Sequence, residues 1–132
     1  MSYLLDTHSF LWAVFSPEKL SRRARATISD ASNTVGLSSI SLWEISLKFS
    51  LGKLVLENTS PEALAVAARE MGLEIISPSA EEAASFHKLP RASHRDPFDR
   101  MLAWQAIQRK WVLVTRDAAL SEYRKAGLKT LW

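Results

Sequence analysis

Residues 3–15 read YLLDTHSFLWAVF, an apolar run that stops at an acid and then continues with apolar residues at helical spacing. The run at 3–6 predicts a short buried strand, and the segment after it predicts a helix. The same succession of strand and helix signals recurs to the end of the chain, without internal repeats or linkers. This alternation predicts an α/β fold with one domain over residues 1–132. Its centre would be a mostly parallel sheet of about five strands with helices on both faces.

The remaining strands are predicted from short apolar or β-branched runs at about 34–38, 73–77, 111–115 and 128–132. Two Ser-Pro pairs, Ser16-Pro17 and Ser60-Pro61, predict helix starts. Serine caps a helix well, and proline suits its first position. Further helices are predicted from about 41, from Ser79, from about 97 and from about 118.

The composition is that of a globular chain, and it excludes several classes of protein. Hydrophobic residues make up 47% and charged residues 23% of the 132, which suits one hydrophobic core. Cysteine is absent, which excludes a disulfide framework, a thiol nucleophile and a thiolate zinc site. No apolar stretch is long enough for a membrane span, and no basic segment precedes the first apolar run, so we expect a cytoplasmic protein. The net charge of +3 would assist approach to a polyanion.

Four acids lie at junctions between predicted strands and helices: Asp6, Glu44, Asp99 and Asp117. Ligands bind at the carboxyl ends of the strands in an open parallel sheet, so these side chains are expected to converge in one crevice. Carboxylates that lie close together repel one another unless a cation sits between them. Oxygen ligands suit hard divalent cations, and such a site is typical of metal-assisted phosphodiester hydrolysis.

Each acid also fits a purely structural role at a helix start. Asp6 and Asp117 follow strands and are suited to cap the next helix. Glu44 completes a capping box with Ser41, or pairs with Lys48 one turn later. Capping alone would therefore explain these positions one at a time.

Asp96 and Asp99 belong to one motif, Asp-Pro-Phe-Asp-Arg at 96–100. One acid suffices to cap the helix that begins there, and negative charge in its first turn is favourable. We expect Asp96 to be the cap, which leaves Asp99 free to point into the crevice. A binding module whose acids only cap helices remains an alternative to an enzyme.

Four short motifs in a fixed order extend these observations over nearly the whole chain. They are residues 4–8 (LLDTH), 41–45 (SLWEI), 96–102 (DPFDRML) and 114–117 (VTRD). The ordered set resembles PIN-domain ribonucleases, and more closely the VapC toxins of bacterial and archaeal toxin–antitoxin pairs. The resemblance implies a PIN-like domain in which Asp6, Glu44, Asp99 and Asp117 bind Mg²⁺ or Mn²⁺ and position water for RNA hydrolysis.

The four acids are expected to divide the work. Asp6 and Asp99 would be direct metal ligands, because Mg²⁺ needs only two or three carboxylates and keeps several waters. Glu44 and Asp117 would bind a second metal or orient ligand waters. Asp96 would support the site from the helix cap.

Other residues are expected to contact the substrate or a partner. Thr115 would add a hydroxyl contact, and Arg100 and Arg116 would contact phosphates of the RNA. The resemblance further implies a cognate antitoxin protein that inserts a segment into a groove of the toxin, and a homodimer. Trp12 and Trp43 lie near two acidic motifs and are the tryptophans expected to line an antitoxin or RNA groove.

Three other kinds of acidic or histidine site are disfavoured. A histidine ribonuclease needs two histidines across the scissile phosphate. Here His87 is expected at the surface or in packing, and His8 and His94 are expected to steer RNA. A response-regulator-like domain needs paired acids at the first strand. A phosphatase with a nucleophilic Asp has a second Asp two residues later, where this chain has His8.

Overall fold

The computed structural model describes residues 1–132 and is built on a five-stranded sheet with the strand order β3-β2-β1-β4-β5. The strands are β1 Ser2–Leu5, β2 Thr34–Ser38, β3 Glu74–Ile76, β4 Val112–Val114 and β5 Lys129–Leu131. All four pairs of neighbouring strands are parallel, so every strand ends at the same edge of the sheet. The predicted α/β fold is confirmed, and β1 takes the central position.

Helices connect the strands and carry the chain back across the sheet each time. The α-helices are α1 Thr7–Phe15, α2 Arg22–Ser29, α3 Ser39–Ser50, α4 Pro61–Glu70, α5 Ala80–Ser85 and α6 Pro97–Arg109. Shorter 3₁₀ helices span Pro17–Lys19 and Phe86–Lys88, and a longer one spans Ala118–Ala126. The helix predicted from about 118 is therefore present in the tighter 3₁₀ form. None of these helices combines the length and the apolar character needed to cross a membrane.

The two faces of the sheet follow directly from the alternation of side chains along β1. Tyr3 and Leu5 belong to a core cluster with residues of α1, α2, α3 and α4. Leu4 points the other way and packs with Leu102 of α6 and Tyr123 of the last 3₁₀ helix. Successive residues of a strand face opposite sides, so a strand buried on both faces must be apolar throughout. The predicted placement of helices on both faces is confirmed.

Two predicted helix starts are wrong because a nearby serine makes the capping bond instead. The α-helix predicted from Ser16 begins after Ser21, whose Oγ accepts a hydrogen bond from the Ala24 N–H at 3.0 Å. Ser16 precedes only the 3₁₀ turn. The helix predicted from about 41 begins after Ser38, whose Oγ accepts from the Ile40 N–H at 3.1 Å. Ser41 is therefore inside α3, and the capping box predicted for Ser41 and Glu44 does not form.

The other predicted caps are confirmed. Ser60 caps α4 and Asp96 caps α6, in both cases with proline at the first helical position. Ser79 forms a full capping box with Glu82 at the start of α5. The cap at Asp96 fixes where α6 begins and therefore places Asp99 in its first turn.

Gly36 of β2 occupies a position where the sheet leaves no room for a side chain. A Cβ at this position would lie 2.6 Å from the Cζ3 atom of Trp111 and 3.3 Å from the backbone oxygen of Glu74. We expect Gly36→Ala to lower the free energy of unfolding by about 1–3 kcal/mol, because the ring or the strand must shift. Urea denaturation measures this loss. In a Trp111→Leu background the same substitution should cost less, and an equal cost in both backgrounds would contradict the explanation.

Candidate active site

The ends of the neighbouring strands β1 and β4 bring together Asp6 and Asp117, the first and last of the four acids predicted for the site. Asp6 directly follows β1, and its N–H donates to the backbone oxygen of Val114, the last residue of β4, at 3.1 Å. Asp117 lies three residues beyond Val114. Asp99 lies in the first turn of α6. These three acids line one crevice of about 420 Å³, together with His8, Trp12, Arg116 and Ala118.

Asp6 and Asp117 each cap a helix with one oxygen and leave the other for the crevice. Asp6 Oδ1 accepts a hydrogen bond from the Ser9 N–H at 2.8 Å, while Oδ2 has no hydrogen-bond partner within the chain. Asp117 Oδ1 accepts from the Ala119 N–H at 2.9 Å. A carboxylate has two oxygens and about four lone-pair positions, so capping does not exclude binding a cation. The capping and ligand roles weighed for these acids are therefore compatible.

Asp99 is released from capping by its neighbour in the same motif. Asp96 Oδ1 accepts hydrogen bonds from the N–H groups of Phe98 and Asp99, at 2.9 and 3.3 Å. Burial raises the pKa of Asp99 to about 6, and the negative charges of Asp96, Asp6 and Glu44 add to the effect. A hydrogen bond with His94 opposes it. Burial and the neighbouring acids disfavour the ionised form of Asp99, and a bound cation would stabilise that form. The raised pKa of Asp99 therefore supports a cation site here.

Glu44 stands beside the crevice rather than in it. Glu44 is 3% exposed. Its carboxylate accepts a hydrogen bond from Thr7 Oγ1 at 2.7 Å and forms an ion pair with Lys48. Glu44 lines a smaller adjoining pocket with Thr7, His8 and Lys48. The pair with Lys48, one of the alternatives drawn from the sequence, is thus present, and the Glu44 hydrogen bond raises the pKa of Lys48. Thr7 follows Asp6 directly, so its hydrogen bond to Glu44 links Glu44 to the main crevice.

His94 is part of the acidic cluster, a contact that the sequence reading missed. Its Nε2 lies 3.2 Å from Asp99 Oδ2, and its Nδ1 lies 3.6 Å from Asp117 Oδ2. One ligand atom from each of the three residues falls within 4.8 Å of the others, close enough to share a cation. His94 lies in the loop before α6, where no periodicity predicts the direction of a side chain. The only signal was its position two residues before the Asp96 cap.

Arg100 does not face the crevice in the way that the predicted phosphate contact requires. Its Nε donates to the Tyr123 hydroxyl at 3.1 Å, and its Nη2 donates to the backbone oxygens of Leu89 and Pro90, both at 3.3 Å. The guanidinium also lies 5.0 Å from the ring centre of Phe86. These contacts anchor the loop that carries His94, so the structure supports a positioning role for Arg100.

Arg116 lines the crevice, and Thr115 supports it through the backbone of Asp117. Thr115 is buried, and its Oγ1 accepts a hydrogen bond from the Asp117 N–H at 3.0 Å, which holds the turn that presents Asp117. Arg116 is exposed and lines the crevice, with its guanidinium 5.9 Å from the ring centre of Trp12. The Arg116 guanidinium is therefore accessible to a phosphate. The Thr115 hydroxyl is engaged with the backbone of Asp117.

Comparison of the sequence with known protein families identifies the family of the chain. The sequence model of the PIN domain matches residues 3–126, a range that includes all four acids. The chain belongs to the PIN-domain family. This PIN-domain chain is also 30% identical over 129 residues to Ribonuclease VapC22 of Mycobacterium tuberculosis (strain ATCC 25618 / H37Rv), a match that covers 98% of the chain and 97% of the relative.

Solved structures show the same fold at lower sequence identity. A chain in the crystal structure of VapBC2 from Rickettsia felis, bound to a DNA fragment from their promoter, aligns with a TM-score of 0.71 and 21% identity, over 100% of this PIN domain and 99% of that chain. A chain of DNA-bound VapBC from Salmonella typhimurium aligns with a TM-score of 0.66 and 22% identity, over 99% and 97%. A chain of FitAcB from Neisseria gonorrhoeae aligns with a TM-score of 0.65 and 19% identity, over 98% of this chain and 96% of the solved one.

Proposed function

We propose that this PIN-domain protein is a metal-dependent endoribonuclease that acts as the toxin of a toxin–antitoxin pair. The observation that carries the proposal is the convergence of Asp6, Asp99 and Asp117 in one crevice, with carboxylate oxygens left over after helix capping. The likeness to Ribonuclease VapC22 supports RNA as the substrate. We also propose a cytoplasmic location, because the proposed substrate is RNA.

The donor set fits a hard divalent cation. All the acids offer carboxylate oxygens, and the pKa of Asp99 is raised to about 6 first by burial and then by the negative charges of Asp96, Asp6 and Glu44. Oxygen donors suit Mg²⁺ and Mn²⁺, and His94 would suit Mn²⁺ better than Mg²⁺. When bound, such an ion would supply the positive charge that activates water and neutralises the phosphate.

The residues of the chain divide the remaining work between holding and orienting. Asp6 and Asp99 would hold the ion, and Asp117 would hold it or orient its ligand waters. Glu44, whose carboxylate contacts Lys48 and Thr7, would bind a second ion or orient its ligand waters.

Substrate contacts come from the open rim of the same crevice. Arg116 would hold a phosphate of the RNA with its exposed guanidinium. Arg100 would act indirectly, because it anchors the backbone of the loop that carries His94.

An apolar groove beside the crevice supports the toxin–antitoxin part of the proposal. It has a volume of about 510 Å³ and is lined mostly by apolar residues of α1 and of the segment after α3: Leu11, Trp12, Phe15, Leu54, Val55 and Leu56. Val55 is 78% exposed and Phe15 48% exposed, which is unfavourable for a chain without a partner. We propose that a segment of the cognate antitoxin covers this groove. We further propose that residues 1–132 form one PIN domain that pairs as a homodimer.

The test is cleavage of RNA by the purified chain, with mapping of the new ends. We expect cleavage of RNA in Mg²⁺ or Mn²⁺, none in excess EDTA, and growth arrest after a brief pulse of expression in cells. Coexpression of the small protein encoded beside it should relieve the arrest. A chain that binds its partner but cuts no RNA with any divalent cation would instead be the binding module allowed by the sequence.

A further inference from the structure

Trp12 is placed where the acidic crevice and the apolar groove meet. It projects from α1 and lines the crevice with Asp6, Asp99 and Asp117. Its indole also forms part of the wall of the apolar groove. The residue is only half-buried, unlike Trp104, which is 6% exposed in the core. Trp12 therefore offers aromatic surface beside the acids.

Three neighbours hold the Trp12 ring in place. The rings of His8 and Trp132 have their centres 5.8 Å from that of Trp12 and are tilted against it. The Arg116 guanidinium lies 5.9 Å from the ring centre, within range of a cation–π interaction. A ring fixed by several contacts loses little entropy when a ligand binds, so it is suited to recognition.

We propose that Trp12, with Arg116 beside it, forms a nucleobase subsite for the nucleotide next to the phosphate that is cut. The inference rests on the proposed ribonuclease function and deepens it. Unpaired bases of RNA are commonly read by stacking on aromatic rings or on arginine planes. The crevice of about 420 Å³ lies in the size range of small-ligand sites, so a base and its phosphate fit there together.

The observations favour a base over a peptide side chain at this position. The crevice wall around Trp12 carries acids and an exposed arginine, and a nucleotide offers both a stacking surface and a phosphate for Arg116. Phe15 and Val55 lie in the apolar groove and do not line the acidic crevice. An apolar peptide would be expected to centre on those residues. The subsite also requires an unpaired base, because a base within a duplex cannot stack on a protein ring.

The test is a scan of single-stranded RNA oligonucleotides that each carry one abasic position, cleaved in Mn²⁺ by wild type and Trp12→Leu. We expect Trp12→Leu to lower kcat/KM for intact RNA by about tenfold, the effect of losing one stacked base. We expect wild type to lose about as much when the abasic position lies beside the cut, and Trp12→Leu to lose no more there. Phe49→Leu, the matched control at an exposed aromatic residue outside both the crevice and the groove, should keep the wild-type pattern.

Each other outcome has a defined meaning. Cleavage by wild type with equal abasic sensitivity in Trp12→Leu would overturn the subsite and leave the ribonuclease proposal standing. Loss of partner binding in Trp12→Leu, with RNA cleavage intact, would assign Trp12 to the protein groove and also overturn it. An absence of cleavage by wild type would remove both proposals. If Trp12→Leu does not fold, Trp12→Phe should show a reduced abasic effect, and an undiminished one would overturn the subsite.

Discussion

Replacing Asp99 with asparagine should make the metal-free protein more stable at neutral pH while it removes RNA cleavage. In the folded chain the pKa of Asp99 is raised from 3.8 to about 6, first by burial and then by the charges of Asp96, Asp6 and Glu44. A difference of this size corresponds to about 3 kcal/mol against folding when the group is ionised. We expect Asp99→Asn to recover about 1–3 kcal/mol of unfolding free energy, because asparagine fills the space without the charge.

The pH dependence of this effect has a definite sign. Between pH 3.8 and about 6 the folded chain keeps the Asp99 proton that the unfolded chain has already lost. Folding then binds a proton, so the contribution of Asp99 to stability falls as the pH rises through this window and stays unfavourable above it. Wild type and Asp99→Asn should therefore differ little near pH 4 and most near pH 7. Urea denaturation in EDTA at both pH values measures the difference.

Asp30 provides a matched control for Asp99→Asn. It is an exposed acid whose pKa is lowered by hydrogen bonds from Ser32, so its charge is favourable in the folded chain. Asp30→Asn should bring no stabilisation at neutral pH and should leave RNA cleavage intact. A destabilised Asp99→Asn protein at neutral pH would mean that neither burial nor the neighbouring acids disfavour the charge of Asp99, and it would count against a shared cation site.

Replacing Asp6 with asparagine should abolish both the response to divalent cations and RNA cleavage, with little change in the metal-free fold. An ion that binds only the folded chain raises stability by about 2.7 kcal/mol at a concentration roughly 100 times its Kd. For a domain of this size that corresponds to roughly 10 °C in melting temperature. The asparagine of the Asp6→Asn variant would still cap α1 through its side-chain oxygen, since asparagine caps as well as aspartate. The lost carboxylate should instead lower cleavage by more than about a hundredfold.

Thermal melting with and without Mn²⁺ measures the first part of this prediction, and RNA cleavage measures the second. Asp30→Asn should keep the full Mn²⁺ shift, because it lies outside the crevice. A shift of equal size in Asp6→Asn and wild type would place the ion elsewhere. The absence of any shift in wild type, with cleavage also absent, would favour a binding module whose acids serve only as caps.

The strands and their order of appearance could be predicted from the sequence because their signals are local. The short apolar run Tyr3-Leu4-Leu5, which stops at an acid before a helical pattern, favours a buried inner strand, and the structure buries it on both faces of the sheet. Asp6 and Asp117 could be assigned to the binding edge for the same reason, since each follows a strand, and parallel strands share their carboxyl edge. The Asp96 cap was equally readable, because an acid followed by proline specifies a helix start.

The contacts of Glu44, His94 and Arg100 follow only from the tertiary structure. Glu44 accepts a hydrogen bond from Thr7, which is 37 residues away in sequence. His94 lies in the loop before α6 and contacts Asp117, which follows β4. Arg100 donates hydrogen bonds to the Tyr123 hydroxyl and to the backbone oxygen of Leu89. Short-range patterns determine which elements form and where their ends lie. Which of several polar side chains meet depends on packing between elements distant along the chain, and no local spacing encodes it.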